Sequence, residues 1–258
     1  MPIYEQAYRR WQARGPLRRL RSWPITREAL RLILSRRAFL VLLAASWVPF
    51  LVRLVQVYIV TRFPEAERLV PAGAQLFGEF LNGQLGFAML LSIFGGAGLV
   101  ANDLRTGAIL VYLSRPLTRR DYVLGKLGVL LALNLAVTLV PGVLLYLASV
   151  ALLPERFLKV DLAWIGPAVV AQSLLIALAV SLLALAVSSL SRSARVAGVA
   201  LMALWVGLEI ARVVASNVFA RPEVGLLSLQ GNVQAVGKAL FGIHRESTTL
   251  PWAWPLLA

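Results

Sequence analysis

The sequence has no cysteine and a single histidine, His244. Disulfide frameworks and thiol chemistry are therefore excluded, and too few soft or imidazole ligands remain for an ordinary zinc, copper or haem site. No GxxxxGK[ST] run occurs, so the chain lacks a phosphate-cradling P-loop. Serines are frequent, but no histidine lies in an apolar stretch to serve as their base. Paired aspartates inside apolar stretches, which a membrane aspartyl protease needs, are missing too. The expectation is that this chain is not itself an enzyme.

Charge is scarce as well. Asp, Glu, Lys and Arg make up 15% of the residues, against about a quarter in soluble proteins. Apolar sequence takes its place, at 59% of the chain, and it falls in long runs: 38–60, 84–101, 127–153, 163–190 and 196–219. Each is at or above the roughly 18 residues that separate a membrane span from a buried core helix. At ~1.5 Å per residue, each run is about long enough to cross the ~30 Å hydrocarbon layer, some with tilt to spare. The short alternating segments of a membrane β-barrel are not seen. The expected fold is all-α: a polytopic helical bundle in which 38–258 forms one transmembrane domain with five readable spans. The end of the sequence, PWAWPLLA, has two tryptophans of the interfacial-belt type and then three apolar residues. It reads as the start of a sixth span that is cut short.

The net charge of +14 raises the question of nucleic acid, and its distribution answers it. Ten arginines precede the first apolar run, against Glu5 and Glu28. The loop 102–126 adds five basic residues against Asp103 and Asp121, and Arg192 and Arg195 add two more. All of these fall on one side of the membrane. On the other side, seven basic and seven acidic residues cancel. Because basic loops stay in the cytoplasm, this is a topology signal that places the N-terminus inside, and no nucleic-acid partner is expected.

Residues 1–37 form a basic segment. Within it, 25–37 reads as an amphipathic helix, with Thr26 as its cap and Glu28 in its first turn. Such a helix suits the headgroup layer of the lipid bilayer, although a purely topogenic charge cluster explains the arginines equally well. The apolar run that follows is too long for a signal-peptide core, so cleavage is not expected. The loops 61–83 and 154–162 and the Gly- and Pro-broken segment 217–250 fall on the opposite side, the last as an interfacial or re-entrant piece.

Few polar residues interrupt the spans. Arg53 lies past the middle of the first, where its side chain can snorkel outward. Glu209 and Arg212 share one helix face and can pair, about 20 and 24 Å along the fifth. They suit either a structural pair or a place on a translocation path. Asn134, Gln172 and Asn217 are candidate interhelical hydrogen-bond partners, and the small-residue run FGGAG at 94–98 suits close helix packing.

One loop stands out. NDLRTGAILVYLSRPLTRRDYVLGK, residues 102–126, wraps charges around AILVYL, which is too short to cross a bilayer and too apolar to lie bare in water. A short helix pressed onto another surface resolves this. Pro116 then ends that helix, and Thr118 with Asp121 forms a T-x-x-D capping box that starts the next. A rigid, charged elbow of this kind can take force from a cytoplasmic partner. Its candidate coupling residues are Asp103, Arg105, Gly107, Leu110, Tyr112, Arg115, Pro116 and Arg119.

With Asn102, Asp103, Arg105, Gly107, Ser114, Arg115, Pro116, Arg119, Gly125 and Lys126 in this order, the loop resembles that of the ABC-2 type permeases, the membrane subunits of a class of ATP-binding cassette transporters. The helix preceding span one and the order of spans match as well. Two features depart from the family: Asn102 stands where glutamate is frequent, and the usual sixth span is not complete. The resemblance implies a permease dimer seated on two copies of a separate P-loop ATPase subunit. ATP would be bound there, with no cofactor on this chain. ATPase closure would push the 103–120 elbow and rock the spans. It also implies the cytoplasmic (inner) membrane of a prokaryote. Export is expected, since no docking site for a binding protein is evident. The alternative from another class is a non-transporting membrane scaffold or assembly factor that binds lipid or a soluble partner. A secondary transporter is disfavoured by the lack of acidic residues near the membrane centre.

Overall fold

A computed structural model describes residues 22–63, 73–109, 118–152, 163–218 and 228–243. Apart from turns and caps, the described residues are helical. Among these described residues, five helical runs are long and apolar enough to cross a membrane: Arg37–Arg62, Ala74–Thr106, Arg119–Leu152, Ile165–Ser189 and Ala194–Ala215. The protein is thus an all-α polytopic membrane protein. The proposed sixth span, His244 and the loop 154–162 lie outside the described residues.

Helix α1 (Trp23–Leu34) precedes the first span. It starts earlier than the expected cap at Thr26, because Pro24 in its first turn is preorganised for a helix start and needs no N–H partner there. Thr26 is consequently inside the helix, and its hydroxyl donates to the carbonyl of Ser22 at 3.3 Å and to that of Gly125 at 2.9 Å. Glu28 likewise falls beyond the first turn.

Proline also divides span one into α2 (Arg37–Ala45) and α3 (Val48–Arg62). Pro49 in the first turn of α3 has no N–H to continue the ladder. In the break between the two helices the Ser46 carbonyl accepts from the Gln84 side chain of span two, at 3.0 Å.

Span two begins at α4 (Ala74–Leu91), so residues 74–83 belong to the membrane helix and not to the expected outer loop. A π-helical turn, Ser92–Gly96, joins α4 to α5 (Gly98–Thr106). The wide turn disturbs the regular ladder, and a side chain from span four repairs it. The Ser188 hydroxyl donates to the carbonyl of Ala97 at 2.7 Å and accepts from the amides of Val100 and Ala101 at 3.1 and 3.2 Å. Gly96 allows close approach here: a Cβ would lie 2.7 Å from the end of the Leu130 side chain of span three, which would have to shift. The small-residue run is therefore a packing device.

Span three is α6 (Arg119–Val137) followed by α7 (Leu139–Leu152), with a break at Thr138 ahead of Pro141. Span four, α8 (Ile165–Ser189), is central and contacts spans two, three and five. Span five is α9 (Ala194–Val218). The segment expected to be interfacial contains α10 (Leu229–Leu240), which lies against α4, α8 and α9.

The interior is filled by Phe77, Phe80, Leu81, Leu85, Met89, Leu130, Leu145, Ile176 and Val180 among others. Lipid is as apolar as these side chains, so their contribution in the membrane is van der Waals fit, with hydrogen bonds between helices adding to it. Spans two and four carry most of this fit, whereas spans one and five lie at the periphery with large apolar residues such as Val52, Val55, Val199 and Ile210 exposed.

Candidate functional site

The end of the bundle that carries α1, α5 and the start of α6 is the basic end. The described residues give the helix ends on either side of the apolar run 108–113. At the end of span two, Thr106 donates its hydroxyl to the carbonyl of Asn102 at 2.9 Å, and Gly107 follows with φ of 68°. That left-handed conformation closes a helix C-terminus and strains any residue with a Cβ. At the start of span three the capping box forms as its spacing predicts. The Thr118 hydroxyl accepts from the Asp121 amide at 3.2 Å, and the Asp121 carboxylate accepts from the Thr118 amide at 3.0 Å.

Two residues then tie the helices together. Lys126 of α6 meets Asp103 of α5 at 2.8 Å, and Lys126 is only 6% exposed. The Tyr122 hydroxyl, one turn earlier on α6, donates to the same carboxylate oxygen at 2.9 Å. Its ring also lies 5.6 Å from the Lys126 ammonium, within cation–π range. Asp103 thus points inward, joining spans two and three across the loop.

Helix α1 docks on the same helix start. A Cβ on Gly125 would approach Ile25 to 3.0 Å, and one on Gly128 would approach the Thr26 hydroxyl to 3.1 Å. These two glycines give α6 a flat strip against which α1 lies, fixed by the Thr26–Gly125 hydrogen bond. The Gly-Lys pair of the loop motif therefore has two separable jobs: Gly125 seats α1 and Lys126 holds Asp103.

The other candidate coupling residues divide into two groups. Arg105 and Arg119 are exposed at the basic end. Leu110, Tyr112, Arg115 and Pro116 lie outside the described residues. Sequence reasoning had matched Lys126 to the motif without finding its partner. The signal available was a lone lysine at the start of an apolar run, in need of a nearby carboxylate.

Deeper in the bundle, Asn134 links three spans. Its amide donates to the hydroxyls of Ser92 (3.1 Å, span two) and Ser181 (3.0 Å, span four), all fully buried or nearly so. Gln172 donates to the carbonyl of Val233 at 2.9 Å and so holds α10 to span four. Gly237 makes room for it, since a Cβ there would meet the Gln172 amide nitrogen at 2.7 Å. The side chain of Asn217 lies outside the described residues.

At the far end, Arg53 does not snorkel free. It pairs with Glu79 of span two at 3.1 Å and donates to Gln56 at 3.0 Å. Its partner was read as a loop residue, which hid the pair. Arg212 donates from Nε to both carboxylate oxygens of Glu209 at 3.1 Å. Glu209 in turn accepts from the Ser228 hydroxyl at 2.7 Å, and Ser228 caps α10 by accepting from the Gly231 amide at 3.0 Å. These contacts tie span five to the start of α10.

Comparison with known families places this geometry. Residues 85–236 match the model of the ABC-2 family transporter proteins. That region holds the elbow, the Asn134 cluster, Gln172 and the Glu209–Arg212 pair, while α1 and Arg53 precede it. Among curated proteins none matches the chain. With most of its length covered by that family model and five apolar spans in its fold, the chain belongs to the ABC-2 family: it is a membrane permease component of an ATP-binding cassette transporter, a class that works with an ATP-binding subunit.

Proposed function

We propose that the basic end faces the cytoplasm, that the 103–120 elbow receives the ATP-driven motion of a separate P-loop ATPase, and that the permease acts as a dimer in a prokaryotic inner membrane. The observation that carries this reading is the tie between Asp103, Lys126 and Tyr122. A buried ion pair with a further hydrogen bond resists shear between its two helices. A push on the loop is then delivered to spans two and three together, and through Gly125 to α1. Exposed Arg105 and Arg119 suit contacts with acidic groups of the partner. The charge asymmetry supports the orientation, and the exposed apolar faces of spans one and five suit lipid or a second copy. Export is the direction proposed, in line with the expectation drawn from the sequence; the transported molecule is left open.

The test is co-purification from detergent with the cognate ATPase, comparing wild type with Arg115→Glu, Leu110→Asp and Arg119→Glu. The reading expects wild type to bring down the ATPase and the loop variants to lose it while eluting as folded protein. If no ATPase follows the wild type, the scaffold alternative takes its place.

A further inference from the structure

A cavity of about 710 Å³ opens at the basic end between α1, the π-helical turn of span two and the first turn of α9. It is within the roughly 300–1,000 Å³ range of small-molecule sites. Three features of its lining converge. Its walls include Leu32, Phe94 and Val199, which remain 58, 64 and 70% exposed. Two guanidinium groups, Arg36 between α1 and α2 and Arg195 at the start of α9, line it as well. Neither has a side-chain partner among the described residues. Finally, the first turn of α9 borders the cavity at Ala194, where backbone amides have no intrahelical acceptor. The Asp103 carboxylate also lines the cavity, but Lys126 neutralises it at 2.8 Å.

A purely apolar occupant would leave both arginines unpaired, and a free inorganic anion would leave the apolar walls open. We propose that this cavity binds one anionic amphiphile, a phosphate-headed lipid whose headgroup lies between Arg36 and Arg195 and whose chain follows Leu32, Phe94 and Val199. Arginine forks suit phosphate oxygens, and the amides of a helix start add to the attraction. The occupant would bridge α1, which is fastened to the elbow, and span five, which is peripheral. The inference stands beside the coupling reading and does not rest on an ATPase.

Native mass spectrometry of the full chain tests it, with phosphatidylglycerol and phosphatidylcholine of identical chains offered in equal amounts. Two cations at the membrane surface, at ~1 kcal/mol each, predict one phosphatidylglycerol bound roughly thirtyfold in preference to phosphatidylcholine. Arg36→Gln/Arg195→Gln should abolish the preference, and Arg36→Lys/Arg195→Lys should keep most of it, which also reports that the fold survives. Arg27→Gln/Arg31→Gln removes the same charge from exposed positions of α1 outside the cavity and should change nothing. The proposal is overturned if the preference survives the Arg36/Arg195 glutamine pair, or falls as far in the Arg27/Arg31 pair. It is overturned equally if inorganic phosphate alone displaces the lipid at millimolar concentration, since the site would then hold an anion and not an amphiphile.

Discussion

At the basic end, Lys126 is 6% exposed and shares the Asp103 carboxylate with the Tyr122 hydroxyl. At the far end, Arg53 and Glu79 are 19% and 40% exposed. Both pairs bridge neighbouring spans at similar distances, 2.8 and 3.1 Å, yet they are not equivalent. The first has little access to water, so each charge depends on the other. The second can exchange its partner for water or headgroups. The difference teaches that the two ends of the bundle are held to different tolerances: the basic end resists shear, while the far end is fastened but can give.

The largest expected effect follows from the buried pair. Lys126→Met or Asp103→Ala leaves one charge buried without its partner and should cost about 3–5 kcal/mol. The double variant Asp103→Leu/Lys126→Met should regain much of it. Reversible unfolding in mixed detergent micelles reads both. Next comes Asn134→Leu, which removes two hydrogen bonds between spans and leaves Ser92 and Ser181 without this donor; about 1–2 kcal/mol is expected in the same assay. Thr118→Ala removes one cap, at ~1 kcal/mol. Its effect should be local, seen as faster hydrogen exchange in the first turn of α6. Smallest of all, Arg53→Ala or Glu79→Ala should cost no more than ~1 kcal/mol. If Glu79→Ala proves as costly as Asp103→Ala, the contrast between the two ends does not hold.

Much of this architecture was legible from sequence for a simple reason: an uninterrupted apolar run must be helical in lipid, because backbone groups find no other partners there. Span four was expected at 163–190 and is Ile165–Ser189, and span five was expected at 196–219 and is α9, Ala194–Val218. Span two was misjudged at its start because Glu79 and Asn82 lower the local hydropathy. The approach of Arg53, 26 residues earlier, gives Glu79 a partner at this end of the helix. The capping box at Thr118 and Asp121 was readable because its partners are three residues apart. Thr26 was not, because its partner is the carbonyl of Gly125, 99 residues away. The π-helical turn is similar: Ser188, which satisfies its loosened backbone, belongs to another span. Local chemistry shows in a sequence; the use a distant helix makes of it does not.

The central claim is that α1 and the starts of the loop on spans two and three move as one body when the ATPase acts. Pulsed electron resonance on spin labels tests this in the complex with the ATPase, with and without ATP. One label pair replaces Arg27 on α1 and Thr106 at the end of span two, both exposed; the other replaces Arg120 and Arg192 and runs from the start of α6 to the start of span five. The account predicts an unchanged distance for the first pair and a changed one for the second. A first-pair distance that shifts as much as the second would contradict it.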